Sequence, residues 1–85
     1  DAKLTAISGR YSESNKKMVA TGNVVLSNRE GARLETEEIT FQLDSARIYT
    51  DKFVIITTEN GSVLRGKGLE SNDSFTKYKI LQPTG

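Results

Sequence analysis

The sequence predicts an antiparallel all-β domain with few or no helices. Its apolar residues occur in short runs, and each run ends in a segment rich in Gly, Asn, Asp or Ser. Runs of this length suit strands and are too short for stable helices. Turn residues at such regular spacing are typical of antiparallel sheets. The predicted strands include Ala2–Ser8, Met18–Leu26, Ile39–Leu43, Phe53–Thr58, Val63–Leu69 and Phe75–Leu81.

Two irregularities in the first half of the chain predict a bent sheet. Gly22 interrupts a strand-like segment, which indicates a bulge or a tight corner. Ile39 and Phe41 alternate with polar residues at period two, which favours a strand over the helix that nearby glutamates suggest. Leu34 has the opposite parity, so we expect a bulge or bend near Thr36–Glu38.

The second half of the chain carries clearer strand and turn signals. Phe53–Ile56 is apolar on both faces, as in a strand covered on both sides or one whose second face meets a partner. Asn60-Gly61 predicts a hairpin with a type I′ turn. Pro83 cannot donate to a strand ladder, so pairing is expected to end there.

A weak internal repeat links the two halves. Ala20–Leu26 is similar to Thr50–Ile56, about thirty residues later by the numbering of the two segments. A repeat of strand pairs is typical of a sheet that grows by addition and has no closed centre.

Composition excludes several classes of function. The 85 residues carry a net charge of +1 and contain no Trp, which gives no basis for nucleic-acid binding. The absence of His and Cys removes the commonest general base, the Ser–His and Cys–His nucleophile pairs, and the imidazole and thiolate metal ligands. We therefore expect a binding or structural module that is not an enzyme and holds no metal or cofactor. The alternating apolar residues are equally those of an ordinary core.

Five stretches in order resemble a known family. They are Ala20–Leu26, Leu34–Phe41, Ile48–Ile56, Gly66–Ser71 and Tyr78–Ile80. Their order and spacing are similar to the periplasmic LptC-type proteins of lipopolysaccharide export, within the OstA-like superfamily, and some details resemble forms from a Bacteroides-like lineage. The similarity extends over nearly the whole chain from Leu4.

The resemblance implies a twisted antiparallel β-jellyroll that is open at its ends and holds lipid in an apolar groove. Residues 1–85 would form a single domain of this kind, or the C-terminal part of a longer periplasmic domain. The implied groove residues are Leu26, Ile39, Phe41, Leu43, Val54, Ile56 and Leu69.

The resemblance also implies partners and a location. Lipopolysaccharide would pass from an inner-membrane ABC transporter to this protein and then to the next jellyroll, without catalysis. The jellyrolls would join through edge strands, here at Phe75, Tyr78 and Ile80 or at the first strand. The full-length protein would be periplasmic and anchored to the inner membrane by a segment outside this chain. The alternatives are a structural assembly or adhesion module without lipid, and the soluble shuttle component of the same pathway.

Overall fold

The computed structural model describes residues 2–84 as seven strands, and all strand pairs are antiparallel. No helix occurs within this range. The predicted all-β class is therefore confirmed, including a strand in the segment where glutamates favour a helix. The strands are β1 (Lys3–Thr5), β2 (Ser8–Ser12), β3 (Lys17–Ser27), β4 (Arg33–Gln42), β5 (Arg47–Thr57), β6 (Val63–Asn72) and β7 (Tyr78–Thr84).

The seven strands form one open sheet. From β3 to β7 each strand pairs with the next one along the chain. β1 and β2 both pair with β3, so together they form one interrupted edge strand, and β7 forms the other edge. The expected first strand over Ala2–Ser8 is thus split at Ala6 and Ile7, opposite the irregular part of β3.

A line of register shifts crosses the sheet. In β3 the shift falls between Thr21 and Val24, where Gly22 and Asn23 adopt φ values of 84° and 46°. β4 and β5 shift between Thr36 and Thr40, and β5 and β6 shift at neighbouring positions. The predicted corner at Gly22 and the predicted bend near Thr36 are both confirmed. Bulges increase local bending and twist, so this line is where the sheet folds.

Contact between two distant turns shows how far the sheet folds. The β3–β4 turn and the β6–β7 turn lie at opposite ends of their strands, and a straight strand of ten residues is about 33 Å long. Nevertheless the Asn28 side-chain amide donates a hydrogen bond to the Phe75 carbonyl oxygen at 2.5 Å. The two halves of the sheet are therefore folded face to face, with the core between them.

The core consists of apolar side chains from the inner faces of both halves. Leu34 and Ile39 are five positions apart, so in a regular strand their side chains would point to opposite faces. Both are fully buried because the bulge between them turns both side chains toward the core. The buried apolar residues are Ala20, Val24, Leu26, Ala32, Leu34, Ile39, Ile48, Val54, Ile56, Leu69 and Phe75.

The structure repeats with a period of thirty residues. β3 and β5 are offset by thirty positions, and so are β4 and β6. The turns that follow β3 and β5 are also alike: Gly31 N donates to Asn28 O at 3.3 Å, and Gly61 N donates to Thr58 O at 3.0 Å. The sheet therefore contains two similar strand pairs placed side by side, as the internal repeat predicts.

The hairpin at Asn60-Gly61 forms, but its turn is not type I′. A type I′ turn needs positive φ at both central residues, and of these two only Gly61 has one, at 90°. The loop is longer than expected, with Thr58 N donating to Ser62 O at 2.9 Å. Asn60 instead accepts a hydrogen bond from Ser62 N through its side chain at 3.1 Å.

The last strand differs from the prediction at both ends. It begins at Tyr78, because residues 73–77 form a turn that contains Phe75. Pairing does not end at Pro83, which pairs with Gly66, while Thr84 pairs with Arg65. An edge strand pairs on one side only, so a proline is tolerated there.

Candidate functional site: an apolar interior with open edges

Most of the predicted groove residues meet in the interior of the folded sheet. Each comes from a different position along β3 to β6, and the alternation of strand side chains directs all of them to the inner face. They belong to one continuous apolar cluster, and none of them is accessible to solvent. These residues are Leu26, Ile39, Val54, Ile56 and Leu69.

The other two predicted groove residues lie away from the centre of this cluster. Phe41 is partly buried and packs against the cluster from the rim. Leu43 lies in the turn after β4, where its side chain is 50% exposed. β4 ends at Gln42, and Leu43 N donates to the Lys16 carbonyl oxygen of the neighbouring turn at 2.8 Å.

The polar side chains of the interior are paired. Thr36 Oγ1 donates to the Phe53 carbonyl oxygen at 2.9 Å, and Ser71 Oγ donates to the Asn72 carbonyl oxygen at 2.9 Å. Among residues 2–84 no buried side-chain nitrogen or oxygen lacks a hydrogen-bond partner. Because these polar groups are paired, their burial costs little and the interior is mainly apolar.

The three residues of the predicted partner edge lie in two different settings. Tyr78 and Ile80 lie on β7, the outermost strand, and both pack partly against the core. Phe75 lies in the preceding turn and is fully buried, so its side chain is not available at the edge. Sequence alternation gave no signal for this burial, because the residue lies outside any strand.

The backbone of β7 presents free groups to its open side. Asn72 N donates to the Lys77 carbonyl oxygen at 3.1 Å, so the groups of Lys77 face β6. In an antiparallel strand the backbone groups of successive residues point to opposite sides. The N–H and C=O groups of Tyr78 therefore face away from β6, where the described chain has no further strand.

An apolar cavity lies beside this edge. A cavity of about 330 Å³ opens between β6 and β7, and its lining is mainly apolar. Val63 and Leu64 contribute exposed side chains to it from the start of β6. The lining residues are Val63, Leu64, Arg65, Tyr78, Ile80, Pro83 and Thr84.

Only one face of the apolar run in β5 is covered by the core. Val54 and Ile56 are buried in the core, whereas Phe53 remains 49% exposed on the other face. Within residues 2–84 no strand or helix covers that face. The outer face elsewhere is largely polar and includes an Arg47–Glu70 ion pair at 3.2 Å between half-exposed side chains.

The described residues form an apolar interior and include no cluster of potential metal ligands. In this part of the chain, no three or more acidic side chains converge as a metal site would require. Likewise, no helix within residues 2–84 has the length and apolarity needed to cross a membrane. The arrangement provides a dry apolar interior between two sheet halves and two strand edges that are open to pairing.

Comparisons with known proteins agree with this arrangement. Neither the curated proteins nor the solved structures include a match to this chain. The family model described as lipopolysaccharide-assembly, LptC-related matches residues 1–83. Members of this family act in lipopolysaccharide transport, as periplasmic components anchored in the inner membrane. Because the match covers nearly all of its length, this chain belongs to the LptC-related family of lipopolysaccharide-assembly proteins.

Proposed function

We propose that this chain binds lipopolysaccharide in its apolar interior and passes it between an inner-membrane ABC transporter and the next periplasmic jellyroll. The observation that carries the proposal is a dry core inside an open sheet. β1/β2 and β7 stand at opposite ends of the strand order and are not paired with each other. The two halves can therefore separate without breaking any strand ladder.

Acyl chains suit such an interior. Burial of each methylene group contributes about 0.8 kcal/mol, so one acyl chain can offset the side-chain contacts that it replaces. The proposed contacts are the buried cluster around Ile56 and Leu69 and the rim residue Phe41. Leu43 would meet lipid only outside the interior, where its exposed side chain lies at the end of the sheet.

Transfer between proteins would use the open edges. A partner jellyroll that adds a strand at β7 or at β1/β2 would extend both the sheet and its apolar interior. Such a passive interior sets an equilibrium and supplies no direction. The ABC transporter would provide the energy for movement, and the full-length protein would remain anchored in the inner membrane.

Photo-crosslinking in cells tests the lipid site. A photoreactive phenylalanine analogue is placed at Phe41, which faces the interior, or at Thr40, the next residue on the same strand, which faces outward. We expect lipopolysaccharide to be captured at Phe41 and not at Thr40. The same comparison between Ile56 and Ile55 gives a second matched pair. Capture from the outward positions alone would reject the proposal and favour a module without a lipid interior.

A further inference from the structure

The β6–β7 turn inserts an aromatic side chain into the core. Phe75 lies in this turn and is completely inaccessible to solvent. Its ring stacks on the Tyr78 ring with centroids 4.7 Å apart and an interplanar angle of 27°. Turn residues usually lie on the surface. This one occupies part of the same apolar cluster that contains Ile56 and Leu69.

The turn holds Phe75 in a strained backbone conformation. The φ angle of Phe75 is 56°, which is unfavourable for a bulky side chain and persists only where neighbouring contacts impose it. Asn72 supplies those contacts. Its side-chain oxygen accepts hydrogen bonds from Thr76 N at 2.9 Å and Lys77 N at 3.1 Å, and its carbonyl accepts from Phe75 N at 3.2 Å.

One side-chain hydrogen bond ties this turn to the opposite end of the folded sheet. Asn28 Nδ2 donates to Phe75 O, while Asn28 Oδ1 accepts from Glu30 N at 2.9 Å and Ala32 N at 3.0 Å. Asn28 is thus fixed by its own turn and presents its amide to the Phe75 turn. An open cleft of about 960 Å³ lies beside the contact and is lined by residues of both turns, so the Phe75 turn has space beside it.

We infer that Phe75 is a displaceable plug of the lipid-binding interior and that Asn28 is the latch that holds it in place. This inference rests on the proposed function. In the closed state the phenyl ring fills a part of the interior that an acyl chain would occupy. Entry of the chain replaces the ring, breaks the Asn28–Phe75 hydrogen bond and lets the turn leave its strained conformation. The fraction of open molecules then sets the apparent lipid affinity.

The variant Asn28→Asp removes the latch and replaces no side chain of the apolar core. The aspartate keeps the oxygen that accepts from Glu30 N and Ala32 N, but it has no amide to donate to Phe75 O. Asn60→Asp is a matched control. It makes the same substitution in the equivalent turn after β5, where the side-chain oxygen of Asn60 accepts from Ser62 N. Circular dichroism verifies that both variants are folded.

Two measurements test the inference. The first is binding of a fluorescent fatty-acyl probe, with purified lipopolysaccharide as competitor. We expect Asn28→Asp to bind about fivefold more tightly than wild type, as the loss of one hydrogen bond from the closed state predicts, and Asn60→Asp to bind like wild type. The second is hydrogen exchange at the amides of residues 75–77. It should accelerate in Asn28→Asp, and in wild type when lipopolysaccharide is added.

The outcomes separate this inference from the proposed function. If all three proteins bind lipid with equal affinity and the turn stays protected in the complex, the plug is rejected and the lipid site stands. A lipid complex in which residues 75–77 exchange more slowly would also reject the plug. If none of the three proteins binds lipid, the proposed function fails and the plug fails with it.

Discussion

Ile80 packs directly against Gly66, so closely that a Cβ atom at Gly66 would overlap Ile80 Cγ2 and would lie 2.7 Å from Gln82 O. Because one of these neighbours is a backbone atom, the strands must move apart to admit a side chain. We expect Gly66→Ala to lower the free energy of unfolding by about 1–3 kcal/mol, as overpacking of a close contact does. Chemical denaturation measures this change.

Gly9 provides the control for this substitution. A Cβ atom at Gly9 would meet only Val19 O, at an ordinary distance of 3.8 Å. Gly9→Ala should therefore leave the free energy of unfolding within about 0.5 kcal/mol of wild type. If both variants lose the same free energy of unfolding, the close approach of β7 is not the reason that Gly66 is needed.

Adjacent isoleucines on β5 should differ strongly in their contribution to stability. Ile56 is fully buried in the core, whereas Ile55 faces outward and is partly exposed. We expect Ile56→Ala to cost about 2–5 kcal/mol of unfolding free energy, through lost burial and the cavity left behind. Ile55→Ala should cost less than half as much in the same denaturation experiment. A larger loss at Ile55 would mean that the outer face of β5 is covered in solution.

The hydrogen bond between Thr36 and Phe53 is expected to stabilise the bend. Thr36→Val keeps the shape of the side chain but leaves the Phe53 carbonyl oxygen without its hydroxyl donor. The expected loss is about 0.5–1.5 kcal/mol, the net contribution of one hydrogen bond, because Phe53 is itself half-exposed. Thermal unfolding measures it. Thr40→Val, on the outward face of the same strand, should have little effect and shows whether the loss is specific.

Strand addition at β7 should require the outward N–H of Tyr78. Tyr78→Pro removes that donor, so we expect it to prevent co-purification of the full-length protein with a periplasmic jellyroll partner. Tyr78→Ala is the control, because it loses the same ring stacked on Phe75 but keeps the N–H. Binding by a folded Tyr78→Pro variant would exclude β7 as the pairing edge and leave β1/β2.

The bends and the repeat could be predicted from sequence because they depend on local patterns. The odd spacing of Leu34 and Ile39 reveals a bulge, since both residues must face one core. Gly22 indicates the same bend in the neighbouring strand β3, where the backbone adopts a φ of 84° that glycine tolerates best. The burial of Leu26, Ile39, Val54, Ile56 and Leu69 follows in turn from strand alternation on either side of these corners.

Other features depend on contacts between distant residues and gave no local signal. Phe75 accepts a hydrogen bond from Asn28, which is 47 residues away in sequence, and its ring is buried among side chains of other strands. Leu43 continues the alternation of β4, but the strand ends one residue earlier at the turn. Pro83 can remain paired because β7 has a neighbouring strand, β6, on one side only. The sequence does not reveal that β7 is an edge strand.

The meander order of the strands also determines how this domain can fold. From β3 onward every strand pairs with the one that precedes it in the chain, so each hairpin closes a short loop at a small entropic cost. All-β proteins are usually slow folders because distant segments must meet. We expect this chain to avoid part of that delay, since each strand can pair with the strand that precedes it. We expect assembly to proceed hairpin by hairpin, with closure by the Asn28–Phe75 contact as its last step.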